Sequence, residues 1–176
     1  QDVSFTPRFG TSNQEHISGI ESSQSINPVG VTVTNSAPVT RTISNSDIDA
    51  VKVTVTFPQI QVATDAGDLL GSSVNLQIQI QYNGGGFTTL IDDTVTGRTA
   101  DAYQKEYRVN LTGSFPVDVK VVRVTADATS ASTVNTFQFT SFTEIIDDKQ
   151  TYLNSAYTSL RLDSQQFSSI PSRKYR

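Results

Sequence analysis

Residues 74–82 read Val74-Asn75-Leu76-Gln77-Ile78-Gln79-Ile80-Gln81-Tyr82, and Asn83-Gly84-Gly85-Gly86 follow directly. Every second side chain is apolar and every intervening one is an amide. A period of two places Val74, Leu76, Ile78, Ile80 and Tyr82 on one face and the amides on the other, so the stretch reads as a strand with one wet face. Asn and Gly accept positive φ at low cost, which makes 83–86 a turn. Phe87–Ile91 then returns as the second strand of a hairpin.

Outward from this hairpin the pattern repeats. Ala50–Phe57 alternates Val51, Val53, Val55 and Phe57 with Lys52, Thr54 and Thr56, and Pro58 ends it. Val31–Val33 and Pro38–Ile43 are shorter runs of the same kind. The loop Ala63–Gly71 precedes the hairpin, and a polar interval from Asp92 to Ala102 follows it. Tyr103, Tyr107, Val109 and Leu111 then alternate with Gln104, Glu106 and Arg108, and Val117–Val124 is more continuously apolar, as in a more buried strand. Thr125–Ser132 is a loop. Val134–Ile146 supplies one or two strands, with Phe137, Phe139 and Phe142 as core candidates. Seven or eight strands separated by turn signals, with no amphipathic helix, predict an all-β fold: an antiparallel β-sandwich over residues 31–147. Residues 1–30 read as a peripheral flank with short strands at Val3–Phe5 and Ile17–Ile20, and residues 148–176 as a second flank.

Composition narrows the function. Hydrophobic residues make up 36% and charged residues 17%, so Ser, Thr, Asn and Gln fill the exposed positions, as suits strands better than helices. The net charge of −4 and the absence of a basic track argue against a nucleic-acid binding site in this fragment. There is no Cys, which removes disulfides and thiolate chemistry. No apolar run reaches the roughly 20 residues of a membrane-spanning helix, and Gln1–Phe5 lacks the pattern of a signal peptide. The chain has no Met, so it reads as a piece of a longer or processed polypeptide.

No constellation stands out as catalytic, cofactor-binding or metal-binding, and the expectation is of none. His16 is the one histidine and reads as an exposed polar residue. The acidic pairs Asp92-Asp93 and Asp147-Asp148, and the single acids Asp47 and Asp49, read as turn or strand-end residues. Asp65-Ala66-Gly67-Asp68 has oxygen ligands beside a glycine but lacks the alternating spacing of a calcium loop, so it reads as an Asx-type turn. Asn110-Leu111-Thr112 matches a glycosylation acceptor, a pattern frequent by chance. Tyr82, Phe87, Tyr103 and Tyr107 offer a sugar-stacking face on one reading, and core or cross-strand pairs on the other.

Taken in order, a series of short stretches resembles one known family. They are Arg8-Phe9-Gly10-Thr11 with Asn13-Gln14, Pro38–Ile43, Asp47-Ile48-Asp49, Val51–Phe57, Gly67-Asp68 and Gly97-Arg98-Thr99 leading to Tyr103 and Tyr107. Val122–Asp127, Thr143–Ile146, Tyr152–Ala156, Asp163–Phe167 and Ile170-Pro171 complete the series. Together they resemble the tail-tip host-specificity protein J family, the central tail hub of lambda-like phages and prophages. The resemblance implies a fragment of a virion structural protein, not an enzyme, that takes part in tail assembly and host attachment. Its implied partners are other tail-tip proteins and itself, as a homotrimer, with any contact to the host cell surface made through other regions. It also implies that the sandwich is an insertion domain and that the two flanks are strands of a hub domain. Ala156, Leu160 and Leu162 against Tyr157, Ser159, Arg161 and Asp163 then read as a returning strand, and the largest exposed apolar patch is expected outside the sandwich. The alternative reading is a carbohydrate-binding β-sandwich module, with stacking on Tyr82, Tyr103 or Tyr107 and an ion near Asp65 and Asp68.

Overall fold

The computed structural model describes residues 3–162, all of them in strands and connections, with no helix among the described residues. In chain order the strands are β1 (Val3–Phe9), β2 (Glu21–Val33), β3 (Val39–Ile43), β4 (Ala50–Phe57), β5 (Gln61–Ala63), β6 (Leu69–Leu70) and β7 (Ser72–Tyr82). They continue with β8 (Thr88–Gly97), β9 (Tyr103–Asn110), β10 (Val117–Arg123), β11 (Thr133–Val134), β12 (Phe137–Asp147) and β13 (Ala156–Leu162). The described residues divide into two compact units, one formed by Ser22–Ile146 and the other by those on either side of it in sequence.

The larger unit is an antiparallel β-sandwich. One sheet has the order β3-β10-β7-β8, the other β2-β12-β4-β9, and a small sheet β11-β5-β6 accompanies them. The amide-alternating stretch is β7, paired with β10 on one side and β8 on the other. Its inward row Val74, Leu76, Ile78 and Ile80 is buried together with Val117, Val119 and Val121 of β10. From the second sheet come Val51, Val53, Val55 and Phe57 of β4 with Phe137, Phe139 and Phe142 of β12, closing one continuous core. Each such side chain stabilises the fold by roughly 1.5–3 kcal/mol on full burial.

Phe137, Phe139 and Phe142 all face inward although their spacing breaks a period of two. A register shift between Phe139 and Ser141 leaves Thr140 as an extra residue, and this bulge restores the inward phase at Phe142 opposite Val53. The turn after β7 forms at Asn83–Gly86, where Asn83, Gly84 and Gly86 have φ of +45°, +74° and +101°.

Three local expectations differ from the fold. The segment Asp92–Ala102 is not wholly a polar interval, because β8 runs on through Gly97. As an edge strand with a wet outer face, β8 needs few apolar residues to remain a strand. Residues 21–30 are not irregular, since β2 covers Glu21–Val33. Most of that strand is exposed, so its Ser, Gln and Asn carry no burial signal. Ile17–Ile20 is a turn around Gly19, at φ +78°, with Ile17 alone buried.

The smaller unit holds a two-stranded ribbon. β1 and β13 pair antiparallel from Val3 opposite Leu162 to Phe9 opposite Ala156, so the residues expected to form a strand after Tyr152–Ala156 do form one. The residues named after it, Asp163, Gln165-Gln166-Phe167, Ile170-Pro171 and Arg173–Arg176, lie outside the described residues.

Candidate functional site

At one seam of the sandwich the edge strands β8 and β9, from opposite sheets, approach each other. Asp93 pairs with inward Leu76, and Lys105 and Tyr107 pair with inward Val55 and Val53, so all three side chains point between the sheets. Asp93 Oδ2 accepts from Lys105 Nζ and from Tyr107 Oη, each at 2.6 Å. Burial pushes the Asp93 carboxyl up, but the hydrogen bonds from Lys105 and Tyr107, the Lys105 charge and the Thr94 backbone N–H together hold it below its usual value. Burial first, then the adjacent Asp93, pushes the Tyr107 phenol well above its ordinary range. The triad ties one sheet to the other at the seam.

Beside it opens a cleft of about 410 Å³ with Ile60 and Val95 in its lining, together with Tyr103, Lys105 and Arg98. Gly97 contributes no side chain there, and a Cβ would stand 3.6 Å from Ile60. Tyr103 leans on Phe57 with ring centroids 6.2 Å apart, and 37% of it remains exposed.

Of the residues singled out in the sequence, Asp93 and Tyr107 meet in the triad at the seam, and the others are not brought together. Asp92 faces the opposite way from Asp93, accepting from Asn75 Nδ2 at 2.7 Å and Gln77 Nε2 at 2.8 Å, which lower its pKa. The pair is therefore not a strand end but lies in the middle of β8, because an alternating strand sends adjacent residues to opposite faces. Asp147 closes β12, and Asp148 Oδ1 accepts the Gln150 N–H at 2.9 Å, as in a turn. The Asp47 backbone N–H donates to Asn45 Oδ1 at 3.1 Å in a local turn. The loop at Asp65 and Asp68 is closed by Thr64, whose hydroxyl accepts the Asp68 N–H at 3.0 Å while its own N–H donates to the Asp68 carbonyl at 2.9 Å. Among the described residues no three His, Asp or Glu side chains gather as a metal site would need. His16 is half-buried, and its carbonyl accepts from Arg8 Nη2 at 2.9 Å.

The aromatic set is also dispersed. Tyr107 is buried in the core. Tyr82, on the other sheet, covers Gly113 and accepts the Thr112 N–H at 3.2 Å. Phe87 carries the Lys120 ammonium 3.6 Å from its ring centre. Only Tyr103 is left beside the cleft, so these rings form no stacking platform.

A feature that the sequence did not announce is Gln14. Its Oε1 accepts from Gly10 N at 2.9 Å, and its Nε2 donates to the carbonyls of Ser155, at 2.8 Å, and Tyr152. This buried amide stitches the end of the β1–β13 ribbon to the loop before β13. Nothing in a Thr-Ser-Asn-Gln run marks one amide as buried.

Residues 23–148, which span the sandwich, match the family model described as "Tip attachment protein J, FNIII-A domain". The chain belongs to the tip attachment protein J family. It is 33% identical over 171 residues to "Tip attachment protein J" of Escherichia phage SECphi4, covering 96% of this chain and 15% of that relative. It is 27% identical over 168 residues to the protein of the same name from Escherichia phage SECphi27, covering 95% of this chain and 14% of the relative. The chain thus spans about one seventh of the length of these J-family relatives, and the similarity includes the ribbon as well as the FNIII-A domain. A solved structure described as "CBM4 structure and function" overlays with a TM-score of 0.28 at 11% identity, over 77% of this chain and 78% of that one, too low to carry an argument.

Proposed function

We propose that this chain is a non-enzymatic part of a phage tail tip, taking part in tail assembly and host attachment. The FNIII-A sandwich, Ser22–Ile146, would be carried as an insertion within a hub domain to which residues 1–21 and 147–176 belong. The observation that carries this reading is the similarity to tip attachment proteins, which extends over 96% of the chain and so takes in both flanks. The place of insertion agrees with it. Ser22 Oγ donates to the Ile146 carbonyl at 3.0 Å, so the sandwich begins and ends at neighbouring points. A domain whose ends meet is tolerated within another because it adds little constraint to its host.

The partners in this reading are other tail-tip proteins and further copies of the same chain, in a trimer, with its place at the tip of the virion tail. The experiment is to label the full-length protein at Asp65, in the Thr64–Asp68 turn, and image purified particles. Label at the tail tip with three copies per particle is the expected result. Label absent from particles, or a purified protein that hydrolyses host-surface glycans, would contradict the reading.

A further inference from the structure

The β1–β13 ribbon has one covered face and one bare one. Arg8 donates from Nε to the Glu15 carbonyl at 2.8 Å and from Nη2 to that of His16 at 2.9 Å, and Arg161 Nη2 donates to Gly19 O at 3.0 Å. These side chains hold the 14–19 segment over their own face. On the other face Phe5 stands opposite Leu160 and Phe9 opposite Ala156, with Phe5 63% and Phe9 82% exposed. A two-stranded sheet with a bare apolar face is marginal in water and gains stability from further strands.

The two edges are not equivalent. Pro7, opposite Thr158, has no N–H, and a proline in a paired strand is tolerated where its nitrogen points away from the partner. The neighbouring Thr6 carbonyl accepts from Thr158 Oγ1 at 3.2 Å, which places that carbonyl on the β13 side. Backbone groups alternate along a strand, so Pro7 and Thr158 both direct theirs outward. The outer edge of β1 therefore lacks a donor at its centre. Among the described residues no strand pairs with the outer edge of β13, which directs the N–H groups of Ala156, Thr158 and Leu160 outward.

We propose that this outer edge of β13 is a strand-docking edge. In the full-length protein it is filled by a further β-strand of the same polypeptide, from outside these 176 residues, and the sheet so extended has its Phe5, Phe9 and Leu160 face covered by the host domain. The inference rests on the insertion reading. The same polypeptide is the fitting source because the relatives are about seven times longer than this chain. Val3 opposite Leu162 also places both outgoing ends of the ribbon together. Pairing through main-chain hydrogen bonds, with the apolar row giving register, is ordinary strand addition.

Hydrogen–deuterium exchange on the full-length protein and on the 176-residue chain, resolved to single amides, tests it. The expected result is slowing of about 100-fold or more at Ala156, Thr158 and Leu160 in the full-length protein alone. Fast exchange in both would show that no strand docks. Slow exchange in both would place the strand within the 176 residues or in a second copy, and either outcome overturns the proposal. Thr158→Pro removes an outward N–H together with the hydroxyl bond to the Thr6 carbonyl, so measured against Thr158→Ala, which loses the hydroxyl alone, the 176-residue chain should keep its unfolding midpoint while the full-length protein loses protection at Ala156 and Leu160. Ser159→Pro, which breaks a β1–β13 bond, should disrupt the ribbon in both. The insertion reading is decided separately, by whether residues 22–146 fold alone, so a self-contained sandwich beside an unprotected β13 would sink the docking edge only.

Discussion

Arg123, only 1% exposed at the end of β10, holds Asn135 at two points: Nη1 donates to its carbonyl at 2.7 Å and Nη2 to its side-chain Oδ1 at 2.8 Å. Asn135 in turn donates from Nδ2 to Ser73 O at 3.1 Å, and Asp127 Oδ1 lies 3.0 Å from Arg123 Nε, an ion-pair contact without hydrogen-bond direction. One guanidinium thereby joins β10, the Ala126–Asp127 loop and the approach to β12. Arg123→Ala leaves the Asn135 acceptors buried and unpaired, and should cost about 2–4 kcal/mol. Urea unfolding should show this as a lower midpoint with an unchanged slope. Arg123→Lys should recover little, because an ammonium lacks the planar fork.

The seam between β8 and β9 predicts pH dependence at both ends of the scale. The Asp93 carboxyl is held below its usual pKa, so its contribution is present above the unfolded value of about 3.9 and is lost as pH falls through the folded value. Tyr107 is raised, so its contribution is present below about pH 10 and is lost as pH rises beyond. Asp93→Asn should flatten the acid limb of stability against pH and cost about 1 kcal/mol at neutral pH, a modest figure because the pair is partly exposed. Tyr107→Phe should flatten the alkaline limb. Denaturant midpoints across the pH range check both.

Gly113 lies under the Tyr82 ring so closely that a Cβ would stand 2.4 Å from it. Gly113→Ala should destabilise the sandwich by about 1–3 kcal/mol through overpacking. The cost should shrink when Tyr82 is also cut to Ala, because the clash is then gone. A double-mutant cycle measures that coupling, and purely additive costs would contradict the contact.

Much of the sandwich was legible because burial writes a period of two into the chain. The row Val74, Leu76, Ile78, Ile80 and the row Val51, Val53, Val55, Phe57 each identify a strand and its inner face. Legibility failed where that signal is absent. β2 is mostly exposed and β8 has a wet outer face, so Ser, Gln, Thr and Asp there say nothing of extension. It also failed where partners come from far along the chain. Asp93 meets Lys105 and Tyr107 across the gap between sheets, and Gln14 meets Ser155 across 141 positions. No local pattern encodes such pairings. The Phe137, Phe139 and Phe142 set was recognisable as core, but the bulge at Thr140 that reconciles its spacing became visible only in the strand register.

The central claim is that Ser22–Ile146 is a self-contained insertion whose flanks belong to a different domain. Urea unfolding of residues 22–146 alone, beside the 176-residue chain, tests it most directly. The account predicts one cooperative transition for the sandwich with the same midpoint in both. An isolated 22–146 that is unfolded, or whose midpoint falls far below that of the longer chain, would show that the flanks are part of the same folding unit and would contradict it.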